Sequence, residues 1–306
     1  MTEQDNELSR RAFAKRTALL GTALVGATWL NAPPAAADPR DRQPPGNEPV
    51  PSQVSVREGL VEIPGASLWY WDTGGSGPAI VLLHAGTGSA LSWPYQQPVF
   101  ARAGFRVIGY SRRGHYRSSA VDPADPGISS EDLLAFVDAL GIETFHALGV
   151  AAGGITALDF AVSYPERLRS LIIASSIFLI QEPEFVSTIE GLRPTEFNAL
   201  PVAFKELSPA YRAVNPDGVA QWLDIYAQSI AGGGRQGLAN QTTWADLERL
   251  RVKSLLMTGD ADLYMPPPML RTIGEHMPRS HVVVVPEAAH SPHWEQPRAF
   301  NRAVVD

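Results

Sequence analysis

The sequence predicts an α/β fold in which a mostly parallel sheet is covered by helices on both faces. From about Val56 onward, short apolar runs alternate with amphipathic stretches. Several of these runs are apolar throughout, which is typical of strands buried on both faces. One long segment, about residues 178–250, breaks the alternation with helix-like patches and the run Gly232-Gly233-Gly234. Because a stretch of this length without structure is improbable, it predicts an inserted helical lid.

The predicted strands are short. Residues 60–63 and 68–71 are joined through Pro64-Gly65, which predicts an opening hairpin. Residues 79–83 form a nearly continuous apolar run and predict a buried strand. The remaining strands are predicted, in chain order, at residues 105–110, 145–150, 171–174, 254–258 and 282–285.

One helix has a clear start and a clear stop. Ser129 or Ser130 is predicted to cap it, and Gly141 is predicted to end it. Its apolar positions fall on one stripe, as expected of a helix packed on a sheet. These positions are Leu133, Leu134, Val137 and Leu140.

Composition excludes several functional classes. The 306 residues include 25 Lys+Arg and 32 Asp+Glu, a formal net charge of −7. This acidic balance argues against a nucleic-acid partner, because phosphate binding usually requires a basic face. The absence of cysteine excludes disulfides, thiolate metal sites and a cysteine nucleophile. No cofactor is predicted.

The N-terminal 37 residues have the parts of a secretory signal. The pair Arg10-Arg11 precedes an apolar run over residues 18–30, and small residues follow up to Ala37. This pattern resembles a twin-arginine signal and predicts cleavage after Ala37, with a periplasmic or secreted destination. The run is shorter than the ~20 residues that span a bilayer, so no membrane anchor is expected after cleavage. Residues 38–55 are predicted to be a proline-rich linker before a domain at residues 56–306.

Four signatures follow predicted strands in a fixed order. Residues 84–88 read His-Ala-Gly-Thr-Gly, and residues 110–118 read Tyr-Ser-Arg-Arg-Gly-His-Tyr-Arg-Ser. Residues 149–154 read Gly-Val-Ala-Ala-Gly-Gly, with the small residues that a sharp strand-to-helix turn needs. The fourth is a pair, Gly-Asp-Ala-Asp at residues 259–262 and Pro-Glu-Ala-Ala-His at residues 286–290.

Together these signatures resemble the α/β-hydrolase family, in particular its carboxylesterases and lactonases. The resemblance places Ala151 at the nucleophile position of the strand-to-helix turn. It implies that Asp262 orients the catalytic histidine, His290. The backbone N–H groups of Gly86 and Ala152 would then form the oxyanion hole. The second signature, residues 110–118, is expected to be structural.

Competing interpretations of the same residues are weaker. Asp260 is a less favoured alternative to Asp262 as the acid. His290, His293 and Glu295 suggest a metal cluster only superficially, because no further ligand converges on them. No metal site is therefore predicted, and His84 is expected to be structural.

An apolar pocket under the lid is predicted from aromatic side chains together with one serine at a strand end. Core packing explains most aromatic residues equally well. The tentative lining residues are Trp93, Ser111, Phe178, Trp222, Tyr226 and Tyr264.

Ala151 leaves the chemistry open, because a methyl group cannot attack a carbonyl carbon. Either the alanine replaces a serine and leaves an inactivated hydrolase, or it is the natural residue. In the second case, His290 and Asp262 would serve a lyase, an isomerase or a water-activating enzyme, or the protein would only bind its ligand. We expect an exported enzyme that cleaves a small, largely apolar carboxylic ester or lactone, with that carbonyl compound as its partner.

Overall fold

The computed structural model describes residues 48–229 and 235–306. The predicted signal, residues 38–47 of the predicted linker and the triple glycine of the predicted lid lie outside the described residues. The strands, in chain order, are β1 (Arg57–Ile63), β2 (Ala66–Asp72), β3 (Ala79–Leu83), β4 (Arg106–Tyr110), β5 (Phe145–Val150), β6 (Leu168–Ala174), β7 (Ser254–Gly259) and β8 (Ser280–Val285).

These strands form one eight-stranded sheet in the order β1-β2-β4-β3-β5-β6-β7-β8. Strand β2 runs antiparallel to both β1 and β4, and the other pairings are parallel. The predicted hairpin is present, with Gly65 at its turn in the left-handed region at φ 72°. The predicted mostly parallel sheet is therefore confirmed.

The central strands of the sheet are buried on both faces. Successive side chains of a strand point to opposite faces, and β3 divides its residues accordingly. Val81 and Leu83 belong to one apolar cluster, and Ile80 and Leu82 belong to another. This explains why the strand is apolar at every position.

Helices cover the two faces. They are α1 (Gln97–Arg102), α2 (Ser129–Ala139), α3 (Ala152–Ser163), α4 (Pro183–Gly191), α5 (Val202–Glu206), α6 (Pro209–Val214), α7 (Pro216–Ser229), α8 (Trp244–Arg249), α9 (Pro267–Glu275), α10 (Pro292–Glu295) and α11 (Pro297–Val305). Phe136 of α2 and Phe160 of α3 enter the cluster on the Val81 side. Phe100 of α1 and Phe300 of α11 enter the cluster on the Ile80 side. The prediction of helices on both faces is confirmed.

The start of α2 differs from the prediction. Its N-cap is Ile128, and neither serine caps the helix. The Ser130 hydroxyl instead donates to Asp159 at 2.5 Å, and Ser129 accepts a hydrogen bond from Thr156. Both partners lie on α3, so the serines join two helices. At the other end, Gly141 takes φ 67° directly after the helix, as predicted.

The segment between β6 and β7, residues 175–253, contains helices α4 to α8. Residues 48–54, part of the predicted linker, form neither helix nor strand, but hydrogen bonds connect them to the domain. The backbone N–H of Val54 donates to the Gln97 side chain at 3.0 Å, and the Tyr95 hydroxyl donates to the carbonyl of Glu48 at 2.9 Å. Within the described parts of the chain, none of the helices combines the length and apolar character needed to cross a membrane.

Candidate active site

The turn between β5 and α3 has an unusual backbone. Ala151, between the strand and the helix, adopts φ 50° and ψ −113°. A positive φ is strained for a residue with a Cβ and costs roughly 1–3 kcal/mol, so the surroundings must hold it. The N–H of Ala151 donates to the carbonyl of Ala174 at the end of β6, at 2.9 Å. The predicted sharp strand-to-helix turn is therefore present at this residue.

Glycines let this turn pack closely against its neighbours. A Cβ on Gly153 would overlap the carbonyl oxygen of Leu83 and lie 2.8 Å from that of His84. A Cβ on Gly154 would lie 2.7 Å from the Cβ of Ser176. The turn is thus wedged between the loops that follow β3 and β6.

The two predicted oxyanion donors lie next to each other. A Cβ on Gly86 would lie 3.7 Å from the Cβ of Ala152, the first residue of α3. The first N–H groups of a helix have no partner within the helix. His84 holds this loop in place, with Nδ1 2.7 Å from the carbonyl of Ala85 and Nε2 accepting from the N–H of Arg112 at 3.0 Å. A structural role for His84 is what the sequence predicts.

The structure pairs Asp262 with His290. The Nδ1 atom of His290 lies 3.1 and 3.0 Å from the two carboxylate oxygens of Asp262, and both side chains are buried. Asp260, the alternative acid, is exposed. With Nδ1 bonded to the acid, Nε2 is the nitrogen left for proton transfer.

Three further groups hold the Asp262 carboxylate. Its Oδ1 accepts from the N–H groups of Tyr264 at 2.8 Å and Met265 at 3.1 Å, and the Thr258 hydroxyl donates to its Oδ2 at 3.1 Å. Burial opposes ionisation, but His290 and these N–H donors together hold the pKa of Asp262 below its usual range. The acid therefore stays ionised beside the histidine.

His290 is strongly basic in this setting. Burial alone lowers the pKa of a histidine, but the charges of Asp262 and Glu206 outweigh it and raise the pKa of His290 to about 9. Arg193 acts weakly in the opposite direction. His290 is therefore protonated at neutral pH.

The loop that carries His290 is held by Glu295. One carboxylate oxygen of Glu295 accepts from the N–H groups of Ala289 at 2.9 Å and Ser291 at 3.3 Å, on either side of His290. The other accepts from the N–H of Ser208 at 2.7 Å. Burial raises the pKa of Glu295 to about 7, against the effect of these donors. Glu295 thus ties the histidine loop to the α5–α6 connection.

The turn and the acid–histidine pair belong to one edge of the sheet. Ala151 follows β5, Asp262 follows β7 and His290 follows β8, and these strands are parallel. The carboxyl ends of parallel strands lie at the same edge, which is where α/β proteins bind ligands. Among the described residues, no cluster of three His, Asp or Glu side chains is suited to hold a metal ion.

Of the predicted pocket residues, Tyr264 contacts the pair, with its ring centroid 4.3 Å from that of His290. The buried Trp93 ring lies 5.1 Å from that of His293, and its indole N–H has no hydrogen-bond partner. Phe178, shortly after β6, is also buried. Trp93, Phe178 and Tyr264 lie in the segments that follow β3, β6 and β7, respectively.

The other predicted pocket residues have different neighbours. Ser111 is buried, and its hydroxyl accepts from the N–H of Ala90 at 3.2 Å. Trp222 and Tyr226 stack on each other with ring centroids 5.9 Å apart. They pack in a cluster with Trp294, outside the two clusters that cover the sheet.

The second signature contacts the protein frame. Arg113 forms a bidentate pair with Asp132 of α2, with both distances 2.7 Å. His115 lies 3.1 Å from the carbonyl of Gly88 through Nδ1, and the Ser118 hydroxyl donates to the carbonyl of Ser111 at 2.7 Å. The expected structural role agrees with these contacts.

The sequence does not point to Glu206, the last residue of α5. Its side chain is buried, with 6% of the residue exposed, and Oε2 has no hydrogen-bond partner. Because α5 has only five residues, no periodic pattern marks this position. In the sequence it stands between Lys205 and Leu207, where nothing distinguishes it from an exposed acid.

A strained strand-to-helix turn and an Asp–His pair at the same carboxyl edge of a parallel sheet are the site architecture of α/β hydrolases. A family model described as alpha/beta hydrolase fold matches residues 78–297. The chain belongs to this family.

Individual relatives are hydrolases. The chain is similar to the 2-hydroxy-6-oxononadienedioate/2-hydroxy-6-oxononatrienedioate hydrolase of Comamonas testosteroni, at 27% identity over 76% of this chain and 88% of that protein. It is similar to 3-oxoadipate enol-lactonase 2 of Acinetobacter baylyi, at 29% identity over 74% of this chain and 87% of that protein. The enol-lactonase structure from Burkholderia xenovorans LB400 matches with a TM-score of 0.65 and 24% identity, over 81% of this chain and 98% of that one. The last match supports the fold alone.

Proposed function

We propose that the protein hydrolyses a small, largely apolar carboxylic ester or lactone with water as the nucleophile. The observation that carries the proposal is the buried Asp262–His290 pair at the sheet edge where Ala151 forms its strained turn. In this proposal His290 transfers a proton at the reacting oxygens, and Asp262 orients it. Gly86 and Ala152 supply the N–H groups that stabilise the developing oxyanion.

Ala151 is the reason for assigning the attack to water. Its methyl group carries no nucleophile, yet its φ of 50° keeps the strained turn that presents residue 151. Such strain persists only where surrounding contacts over-determine it, and it is common at active sites. We infer that the geometry serves substrate binding and charge stabilisation, and that a water molecule occupies the place of a side-chain nucleophile.

The substrate class follows from the chemistry of the site and from the relatives. An oxyanion hole fits a carbonyl that becomes tetrahedral, as in esters and lactones. The relative from Acinetobacter baylyi is named as a lactonase, which supports a cyclic ester as one such substrate. The aromatic ring of Tyr264, 4.3 Å from that of His290, favours a compact, apolar acyl or alcohol part.

We further propose that residues 178–250 act as a lid over this site. The side chain of Arg193 donates to the carbonyls of Leu263 and Tyr264, each at 3.3 Å. The backbone N–H of Ser208 donates to the Glu295 carboxylate at 2.7 Å, and the Ser208 hydroxyl donates to the carbonyl of Glu287 at 3.3 Å. These contacts support a lid attached to both the acid loop and the histidine loop.

The test compares the unaltered chain with His290→Ala on short-chain p-nitrophenyl esters and simple lactones. We expect the unaltered chain to turn over and the variant to lose at least ~100-fold in kcat/KM, the usual contribution of a proton-transfer residue. His281→Ala, which removes an exposed histidine of β8, is the matched control and should leave the rate unchanged.

A third protein in the same assay, the single variant Ala151→Ser, decides between water and a serine as nucleophile. If the unaltered chain is inactive while Ala151→Ser hydrolyses the esters, the water mechanism is wrong and the site requires a serine. If neither protein turns over although a lactone binds, the enzymatic proposal itself fails.

We also propose that the protein is exported by the twin-arginine route, on the basis of Arg10-Arg11, the apolar run at residues 18–30 and the small residues before Asp38. In a bacterial host, the full chain should reach the periplasm with Asp38 as its new N-terminus. Replacing Arg10 and Arg11 together by lysine should retain it in the cytoplasm, whereas Arg16→Lys should not. Export that is indifferent to the arginine pair would refute this route.

A further inference from the structure

Glu206 is a buried acid with an unfilled hydrogen-bonding position. Only 6% of the residue is exposed, and its Oε2 has no partner. A buried carboxylate oxygen left unpaired costs free energy, so such an atom requires an explanation. The Glu206 carboxyl interacts electrostatically with His290 and with Asp262. It is thus a second acid beside the pair.

The chain holds Glu206 firmly in this position. Two residues later, Ser208 donates two hydrogen bonds. Its backbone N–H donates to the Glu295 carboxylate at 2.7 Å, and its hydroxyl donates to the carbonyl of Glu287 at 3.3 Å. Glu295 also binds the N–H groups on both sides of His290. The end of α5 and the histidine loop are therefore attached to the same carboxylate, which couples the positions of Glu206 and His290.

We propose that Glu206 is the general base of this site and that His290, in its protonated form, is the general acid. The proposal rests on the proposed hydrolysis by water and assigns the two proton transfers within it. The unpartnered Oε2 is the atom that would accept a hydrogen bond from the attacking water. Glu206 thereby supplies from the lid the activation that a residue with a methyl side chain at position 151 cannot supply.

The hydrolysis involves two proton transfers. The oxygen of water forms a bond to the carbonyl carbon while its proton passes to the Glu206 carboxylate. The bond from that carbon to the leaving oxygen then breaks, and the protonated Nε2 of His290 gives its proton to that oxygen. The products are a carboxylic acid and an alcohol, or one hydroxy acid from a lactone. The proton on Glu206 returns to His290 through solvent when the products leave.

The charges around the two groups agree with these roles. Burial disfavours the charged form of His290, but Asp262 and Glu206 raise its pKa to about 9, with Arg193 opposing them. His290 therefore carries the proton that an acid needs at neutral pH. Burial also raises the pKa of Glu206, with His290 and Lys205 opposing and Asp262 reinforcing the effect. A carboxylate of raised pKa is a stronger base than an exposed one.

The pH dependence of kcat/KM in the unaltered chain tests this assignment. With Glu206 as base and His290 as acid, the rate rises as Glu206 loses its proton and falls again as the pH passes about 9, where His290 loses its own. If His290 were the base, the rate would instead rise through about pH 9 and stay high. That profile would overturn the proposal while leaving hydrolysis by water intact.

The variant Glu206→Gln separates the two assignments independently. We expect it to lose at least ~100-fold in kcat/KM and to lose the acidic limb of the profile. If His290 were the base, removing this negative charge would lower the pKa of His290 and speed the reaction at neutral pH. Glu190→Gln, the same change at an exposed position of α4, is the matched control. Absence of turnover in the unaltered chain at every pH would refute the proposed function rather than this assignment.

Discussion

Replacing Asp262 by asparagine should change the acidity of His290 more than any other single substitution at the site. Asp262 contributes both a charge and two oxygens, 3.1 and 3.0 Å from Nδ1 of His290. It is the larger of the two negative charges that overcome burial and raise the pKa of His290 to about 9. Without it, Glu206 alone opposes the burial of the imidazolium.

The magnitude follows from this balance. Burial has the largest single effect on the pKa of His290, so once Asp262 is lost, Glu206 alone does not offset it. We therefore expect the titration midpoint of His290 to fall from about 9 to ~6.5 or below, the ordinary histidine value, which corresponds to ~3 kcal/mol of lost stabilisation of the imidazolium. The protein should still fold, because asparagine has nearly the same volume as aspartate.

Nuclear magnetic resonance can follow this change through the Cε1–H signal of His290. The signal is assigned among the seven histidines by its absence from a His290→Gln variant. Asp260→Asn is the matched control, because Asp260 is exposed and lies only two residues from Asp262. A midpoint that stays near 9 in Asp262→Asn, or that moves equally in Asp260→Asn, would refute the electrostatic account of the pair.

Two further substitutions test the frame of the site by urea unfolding. Gly153→Ala should destabilise the protein by about 3 kcal/mol or more, because its Cβ would overlap the carbonyl oxygen of Leu83. Gly191→Ala is the control: its Cβ would meet no atom within 4 Å, and its stability should stay within ~1 kcal/mol of the unaltered protein. A small effect at Gly153 would argue against the close packing of the turn. Glu295→Gln should cost about 2 kcal/mol, because an amide cannot accept hydrogen bonds from Ser208 and from the histidine loop at the same time. An unchanged unfolding midpoint would mean that this carboxylate does not hold the loop.

The sequence predicts the features of this molecule that depend on residues close together in the chain. The all-apolar run of β3 indicates a strand buried on both faces, and the two apolar clusters on either side of it account for that pattern. Asp262 and His290 could be found because the short motifs that carry them, after β7 and β8, resemble those of α/β hydrolases. The turn at Ala151 could be found because its flanking glycines permit a sharp strand-to-helix connection.

The parts that the sequence does not predict depend on contacts between distant segments. Ser129 looks like a helix cap, but its hydroxyl binds Thr156 of another helix. Glu206 lies on a five-residue helix, and its importance arises from the connection between the lid and the histidine loop through Ser208 and Glu295. No local spacing encodes such a meeting of segments about 80 positions apart in the chain.

The most direct test of hydrolysis by water is intact-protein mass spectrometry during turnover of a p-nitrophenyl ester. The sample is quenched in acid while product is still forming at a steady rate. If water is the nucleophile, the unaltered chain should form product with no change in the mass of the protein, because the methyl side chain of Ala151 cannot hold an acyl group. An acyl adduct on the protein that forms and decays at the rate of turnover would contradict hydrolysis by water.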